Sequence, residues 1–305
     1  VVAAALASAW AAAQPVTPAG VPLEEVSVTA PEPRYVAPTL RDRIGRIWAP
    51  VTIDGKGPLR LVLDTGASRS ALTPAALGKL GIEPDLSRTV LLRGTTGAAR
   101  VPTVRVGQVE IGDMVAERQT MVVVDDAFGG ADGVLATTAL RDRRILADFR
   151  RDRIEIVRSQ GERAPAGFTT LPVKLLERHV PWVVATVGGV RVKAVIDTGA
   201  QQTLGNLALR DALLAKRREV DPRDEGVIGV TGDMQEGRSM AAPPIQLDRI
   251  MVRRARINFV DLHIFHRWNL RDEPAMLLGM DVIGVLDTVI LDYRRRELQV
   301  KLIER

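Results

Sequence analysis

The chain has 305 residues, enough for one large domain or two small ones. Its apolar content of 46% can build a core, which excludes global disorder, and the absence of cysteine excludes disulfides, thiolate nucleophiles and zinc–thiolate sites. The formal net charge of +5 comes from scattered arginine, as in Arg141-Asp142-Arg143-Arg144 and Arg294-Arg295-Arg296, with no basic tail. A solvated charged surface therefore outranks nucleic-acid binding, and no nucleic-acid partner is expected.

Residues 1–13 are almost all small and apolar. They fit the end of a secretory signal, with Ala11 to Ala13 as its cleavage site, and imply a periplasmic or secreted protein. The run is too short to span a bilayer as it stands; a truncated anchor, tethering the protein to a membrane, is the competing reading. Residues 14–38 hold Pro15, Pro18, Pro22, Pro31, Pro33 and Pro38 and are expected to be an extended linker. A first lobe over 39–158, a polar linker over 159–170 and a second lobe over 171–305 complete the expected organisation.

The two lobes are copies of one pattern. VTIDGKGPLRLVLDTGA ends at Ala67 and VATVGGVRVKAVIDTGA ends at Ala200, so Asp64 and Asp197 lie 133 residues apart. In each copy two strand-like runs flank a turn, Asp54-Gly55 or Gly188-Gly189, which predicts a hairpin ending at the aspartate. A short helix should follow, capped by Thr73 with Pro74 and stopped by Gly81, or capped by Asn206. Next come two glycine-bounded turns, Gly94-Thr95-Thr96-Gly97 and Gly229-Val230-Thr231-Gly232. Each copy closes on an apolar strand, a short helix and a last strand: GVLATTAL to ADFRRDRIEIV, and LLGMDVI to LDYRRRELQVKL. The second copy carries a net insertion before Leu277, within 260–274. Duplication of a mainly β unit explains this order.

Asp-Thr-Gly at the end of an apolar strand puts a carboxylate on a tight turn. Gly66 and Gly199 would permit a sharp backbone and the close approach of a partner loop. The hydroxyls of Thr65 and Thr198 could lock the two loops together. One such aspartate is ordinarily an Asx turn closing a strand. Two on duplicated units can meet face to face, and carboxylates about 3 Å apart share a proton. The ionised member then takes a proton from water while the protonated member donates to a carbonyl oxygen, with no covalent intermediate. The catalytic pair is thus Asp64 and Asp197, and no cofactor or metal is called for.

These residues resemble the retropepsin-like aspartic peptidases. LVLDTGAS and AVIDTGAQ look like that family's active-site strand and loop, and LLGMDVI like its second signature. The resemblance runs from about Trp48 to Leu302. It implies two acid-protease β-barrel lobes in one chain related by pseudo-twofold symmetry. It also implies an aspartic endopeptidase, working as a monomer, that binds a protein or peptide extended between the lobes. The Gly-x-Thr-Gly turns then lie where the family carries its substrate-binding flap. Two positions depart from the pattern: Ala136 stands for a glycine in the first lobe, and Gln201 follows the second DTGA. The alternative is an inactive bilobal peptide-binding pseudopeptidase; a domain-swapped dimer is a third reading. Ala67 and Ala200 offer no hydroxyl to lower the pair's pKa values, which predicts a mildly acidic optimum.

Weaker signals remain. His263-x-x-His266 has helical metal-ligand spacing with Asp261 nearby, but no further ligands accompany it, so a surface loop or flap-like cover is preferred. Phe259, Phe265 and Trp268 concentrate in the same insertion and are expected to be local core more than substrate pocket. An aspartyl-phosphate enzyme would need phosphate and magnesium ligands that are not readable here.

Overall fold

The computed structural model describes residues 34–38, 46–95, 97–111, 114–125, 129–140, 142–216, 223–228 and 234–302. The expected signal segment 1–13 lies outside the described residues. The architecture is mainly β, in two β-barrel lobes within one chain related by pseudo-twofold symmetry.

Each lobe starts with the expected hairpin. Trp48–Ile53 pairs with Lys56–Asp64, and Val180–Val187 with Val190–Ile196. Their two-residue turns hold Asp54 and Gly55 at φ 49° and 73°, and Gly188 and Gly189 at 55° and 80°. That left-handed pair is what a type I′ hairpin turn demands. The aspartate strand is alternating at first and apolar at its end. Leu59, Leu61 and Leu63 enter the main core while Val62 faces a second cluster, so the strand is covered on both sides as it reaches Asp64.

In the first lobe six strands close into a ring. The order is Trp48–Ile53, Lys56–Asp64, Gly133–Ala136, Ala71–Leu72, Met114–Val123 and Ala98–Ile111. The last returns to the first through Thr52 opposite Glu110 and Ile53 opposite Val109. The aspartate strand runs parallel to Gly133–Ala136, and Ile196 ends a strand likewise parallel to Ala275–Leu278. The second lobe repeats this order, but its counterpart of Ala98–Ile111 is broken into Met234–Ala241 and Ile245–Leu247, and that of Met114–Val123 into Ile250–Val252 and Arg256–Phe259, with Arg254 at φ 61° between the latter two.

Helices α1 (Pro74–Leu80) and α2 (Leu207–Ala215) follow the aspartate loops. The Thr73 hydroxyl accepts from Ala76 N–H at 3.2 Å, and Gly81 ends α1 in the left-handed region. Asn206 Oδ1 accepts from Leu209 N–H at 2.9 Å. The insertion holds a third helix, α3 (His263–Arg267), and the LLGMDVI signature a fourth, α4 (Met280–Ile283).

The lobes share a six-stranded antiparallel sheet. Its order is Arg34–Pro38, Arg153–Arg158, Arg143–Asp148, Thr288–Asp292, Glu297–Lys301 and Thr169–Pro172. The two central strands come from the two repeats and pair with each other. Asp292, wholly buried here, accepts from Ser159 Oγ at 2.9 Å and lies 3.6 Å from Arg144. Both expected linkers need correction. Residues 34–38 form the sheet's edge strand, where Pro38 is tolerated because one side of an edge strand needs no donors. Thr169 and Thr170 already belong to the opposite edge.

Candidate active site

Asp64 and Asp197 leave their strands at the junction between the lobes, and their carboxyl groups come within hydrogen-bonding reach of each other. Backbone N–H groups aim both. Asp64 Oδ1 accepts from Gly66 at 2.8 Å and Ala67 at 3.0 Å, and Asp197 Oδ1 accepts from Gly199 and Ala200, each at 3.0 Å.

The threonines bind the two loops into one unit. Thr65 N–H donates to Thr198 Oγ1 at 3.1 Å, and Thr198 N–H donates to Thr65 Oγ1 at 3.0 Å. Each hydroxyl in turn donates across the lobe boundary, Thr65 to the Ile196 carbonyl and Thr198 to the Leu63 carbonyl, both at 2.7 Å. Gly66 and Gly199 serve close approach rather than a sharp backbone, since neither has a positive φ. A Cβ on Gly199 would stand 2.3 Å from Asp64 Cγ, and one on Gly66 2.8 Å from Asp197 Oδ2.

Electrostatics follow from this geometry. Burial raises the pKa of Asp64, opposed by the N–H groups of Gly66 and Ala67, by Asp197 and by the Arg46 guanidinium. Burial, with the charge of Asp64 added, pushes Asp197 up to about 8. Two carboxylates cannot both ionise easily here, so the pair holds one proton between them over a wide range.

The loops are braced differently in the two lobes. In the second, Asp281 accepts from Thr203 N–H at 3.1 Å and from its hydroxyl at 2.7 Å. Thr203 Oγ1 also accepts from Gly279 N–H, and Met280 N–H donates to the Ala200 carbonyl at 2.9 Å. In the first, Ser70 Oγ accepts from Ala136 N–H at 3.0 Å, and the Thr137 hydroxyl bonds the Ala67 carbonyl at 3.3 Å in place of a backbone N–H. Thr138 stands where the second lobe has Asp281, so the carboxylate brace is missing. Ala136 is fully buried without displacing Ser70, whereas a Cβ on Gly279 would meet Gln202 at 2.6 Å. The second lobe needs its glycine and the first does not.

Above the pair lies a cleft of about 400 Å³ lined by both aspartates and by residues of both lobes. On the first-lobe side its wall is Ala71, Val122, Val124 and Val134; on the second-lobe side it is Val180, Leu204, Trp268 and Leu277. Gly94 and Gly97 close a hairpin turn, Gly94 N–H donating to the Gly97 carbonyl at 2.8 Å, and Gly94 and Thr95 line the cleft. Thr96 lies outside the described residues, as do Gly229, Val230, Thr231 and Gly232, although the strands Arg223–Ile228 and Met234–Ala241 on either side of the latter pair with each other.

Helix α3 reaches the same cleft, and Ile264 N–H donates to the Thr95 carbonyl at 3.3 Å. Phe259, Phe265 and Trp268 are buried core, and Trp268 is cleft wall as well. His266 Nε2 bonds Asp261 at 2.7 Å, and His263 Nε2 is buried without a partner. Sequence reasoning missed Arg46, His179 and Tyr293. Arg46 and His179 line the cleft at corresponding places in the repeat, a spacing that could have flagged them. Tyr293 lies near enough for the charge of Asp64 to add to burial in raising its phenol's pKa.

A family model described as aspartyl protease matches the chain twice, over residues 49–139 and 183–282. No curated protein sequence matches it. Each matched segment carries one Asp-Thr-Gly loop of the pair, and together they span more than half the chain. The chain therefore belongs to the aspartyl protease family, in a retropepsin-like, two-lobed form.

Proposed function

We propose that the protein is an aspartic endopeptidase whose catalytic residues are Asp64 and Asp197. What carries this reading is the mutual reach of two carboxyls, Asp197 buried and Asp64 part-buried, each aimed by two backbone N–H groups. A peptide lies extended in the cleft with its scissile carbonyl over the pair. The ionised carboxylate takes a proton from water as the water oxygen attacks the carbonyl carbon, and the protonated carboxyl gives its proton to the carbonyl oxygen. The gem-diol then collapses, the C–N bond breaks, and the nitrogen leaves with a proton from the pair. Both carboxyls come from one chain, so the working unit is a monomer. The place of action is the periplasm or outside the cell, a reading supported by the small apolar residues Val1 to Ala13.

A pseudopeptidase is the second reading, favoured by the missing counterpart of Asp281 in the first lobe. Cleavage of a peptide library by the wild type, Asp64→Asn and Asp197→Asn separates the two. The peptidase reading expects kcat to fall by about 10³-fold or more in each variant. Cleavage retained in either variant would sink the mechanism, and binding without cleavage by the wild type would favour the second reading.

A further inference from the structure

The two halves of the cleft differ in charge at corresponding positions. Arg69 lies five residues after Asp64, and its counterpart five residues after Asp197 is Gln202. Arg69 is exposed on the cleft lining; Gln202 is neutral and is tied to the Asn258 amide. Arg46 and His179 form a second such pair, a cation against a ring whose Nδ1 is already engaged by the Glu177 carbonyl at 2.6 Å. Arg93, exposed at the base of the first-lobe flap turn, adds a third cation to that half. Arg267, on α3 of the second lobe, also lines the cleft and shares a neighbouring groove with Arg69, but Glu177 holds it in a two-pronged pair at 2.9 and 2.6 Å.

Among the described lining residues the charges therefore do not cancel. Arg46 acts on the Asp64 carboxyl itself. Arg69 and Arg93 have no ion-pair partner among the described residues. A pseudo-twofold cleft with apolar walls on both sides could accept an extended chain in either direction. Two guanidiniums uncompensated among the described residues, both on the first lobe, remove that ambiguity, because an acidic side chain gains when it lies beside them.

Resting on the peptidase reading, we propose that the substrates are peptides with apolar residues at the scissile bond and an aspartate or glutamate on the side held by the first lobe. Arg69 and Arg93 are the specificity-determining residues. They select the acidic side chain and set the direction in which the chain lies.

The test uses peptides with apolar residues at the scissile bond, carrying Glu or Gln at successive positions on either side. Wild type should favour Glu over Gln roughly fivefold in kcat/KM on one side only, a ratio that shrinks in molar salt. In Arg69→Gln/Arg93→Gln the ratio should fall to about one, and Arg69→Glu/Arg93→Glu should favour Lys instead. Equal cleavage of Glu and Gln peptides by wild type, or a preference that survives in the Gln variant, would overturn the proposal. If no peptide is cut, the peptidase reading fails separately. Fluorescence anisotropy then measures binding of the same peptides to the intact protein, where the Glu preference is still expected and equal affinities would overturn it.

Discussion

Thr65 and Thr198 exchange hydrogen bonds across the lobe boundary, each N–H donating to the other's hydroxyl at 3.1 and 3.0 Å. Both side chains are buried, so no water replaces a lost partner. Replacing either by valine keeps the volume but orphans an N–H from the partner threonine and a carbonyl from Leu63 or Ile196. We expect each valine variant to lose roughly 2–4 kcal/mol in urea denaturation. Serine, which retains the hydroxyl, should lose under about 1.5 kcal/mol, the cost of one small deletion. A valine variant as stable as the serine variant would show that the exchange contributes little.

The glycines beside these threonines should respond unequally. A Cβ at residue 199 meets the Asp64 carboxyl carbon at 2.3 Å, while one at residue 66 meets an Asp197 oxygen at 2.8 Å. Both distances are below van der Waals contact, and the closer clash demands the larger shift. Gly199→Ala should therefore separate the carboxyls further than Gly66→Ala. Overpacking of this kind costs about 1–3 kcal/mol, and misplacing reacting groups by about 1 Å can cost roughly 100-fold in rate. Activity and thermal midpoint measured on both variants check the order; a milder Gly199→Ala would contradict it.

The paired aspartates were legible because Asp-Thr-Gly recurs with its strand, turn and helix signals in register. Physical chemistry at those positions is local: a type I′ turn, a cap and an apolar strand end each have their own residue signature. Barrel closure through Thr52 and Glu110 was not legible, since it depends on pairing between distant strands. The edge strand Arg34–Pro38 was concealed by its flanking prolines. Arg46 and His179 share a position but no chemistry, so no repeated motif marked them. Ala136 departs from the family's pattern in the sequence, yet Ser70 and Thr137 still bond its loop and only the carboxylate brace is lost.

The pair's proton makes both stability and rate depend on pH. Asp197 is raised from 3.8 to about 8, so the folded state holds its proton more tightly than the unfolded chain does. The stability this contributes is full below pH 3.8 and is lost as pH rises through about 8. Asn cannot ionise, so Asp197→Asn should gain thermal midpoint relative to wild type as pH climbs through that window, with the smallest difference near its acid end. For catalysis the pair must hold one proton. With Asp64 also raised, kcat/KM should form a bell whose maximum lies between these limits on the mildly acidic side. A maximum below about pH 3 would contradict the raised pair.

Glu177 controls the charge that Arg267 presents to the cleft. Its carboxylate accepts two hydrogen bonds from Arg267, the last residue of α3, and both side chains are only partly exposed. The same helix holds the Thr95 carbonyl of the flap turn through Ile264 N–H. Glu177→Gln keeps the length of the side chain but removes its charge. The loss in stability should be about 1 kcal/mol, as for a partly exposed pair of good geometry. The cleft responds more strongly, because Arg267, which shares a groove with Arg69, then faces it without a counter-charge. If charge selects the substrate, this variant should favour an acidic residue over its neutral amide more strongly than wild type does. Cleavage-site profiling of a mixed peptide library reads this directly. An unaltered preference would mean that Arg267 does not reach the bound chain.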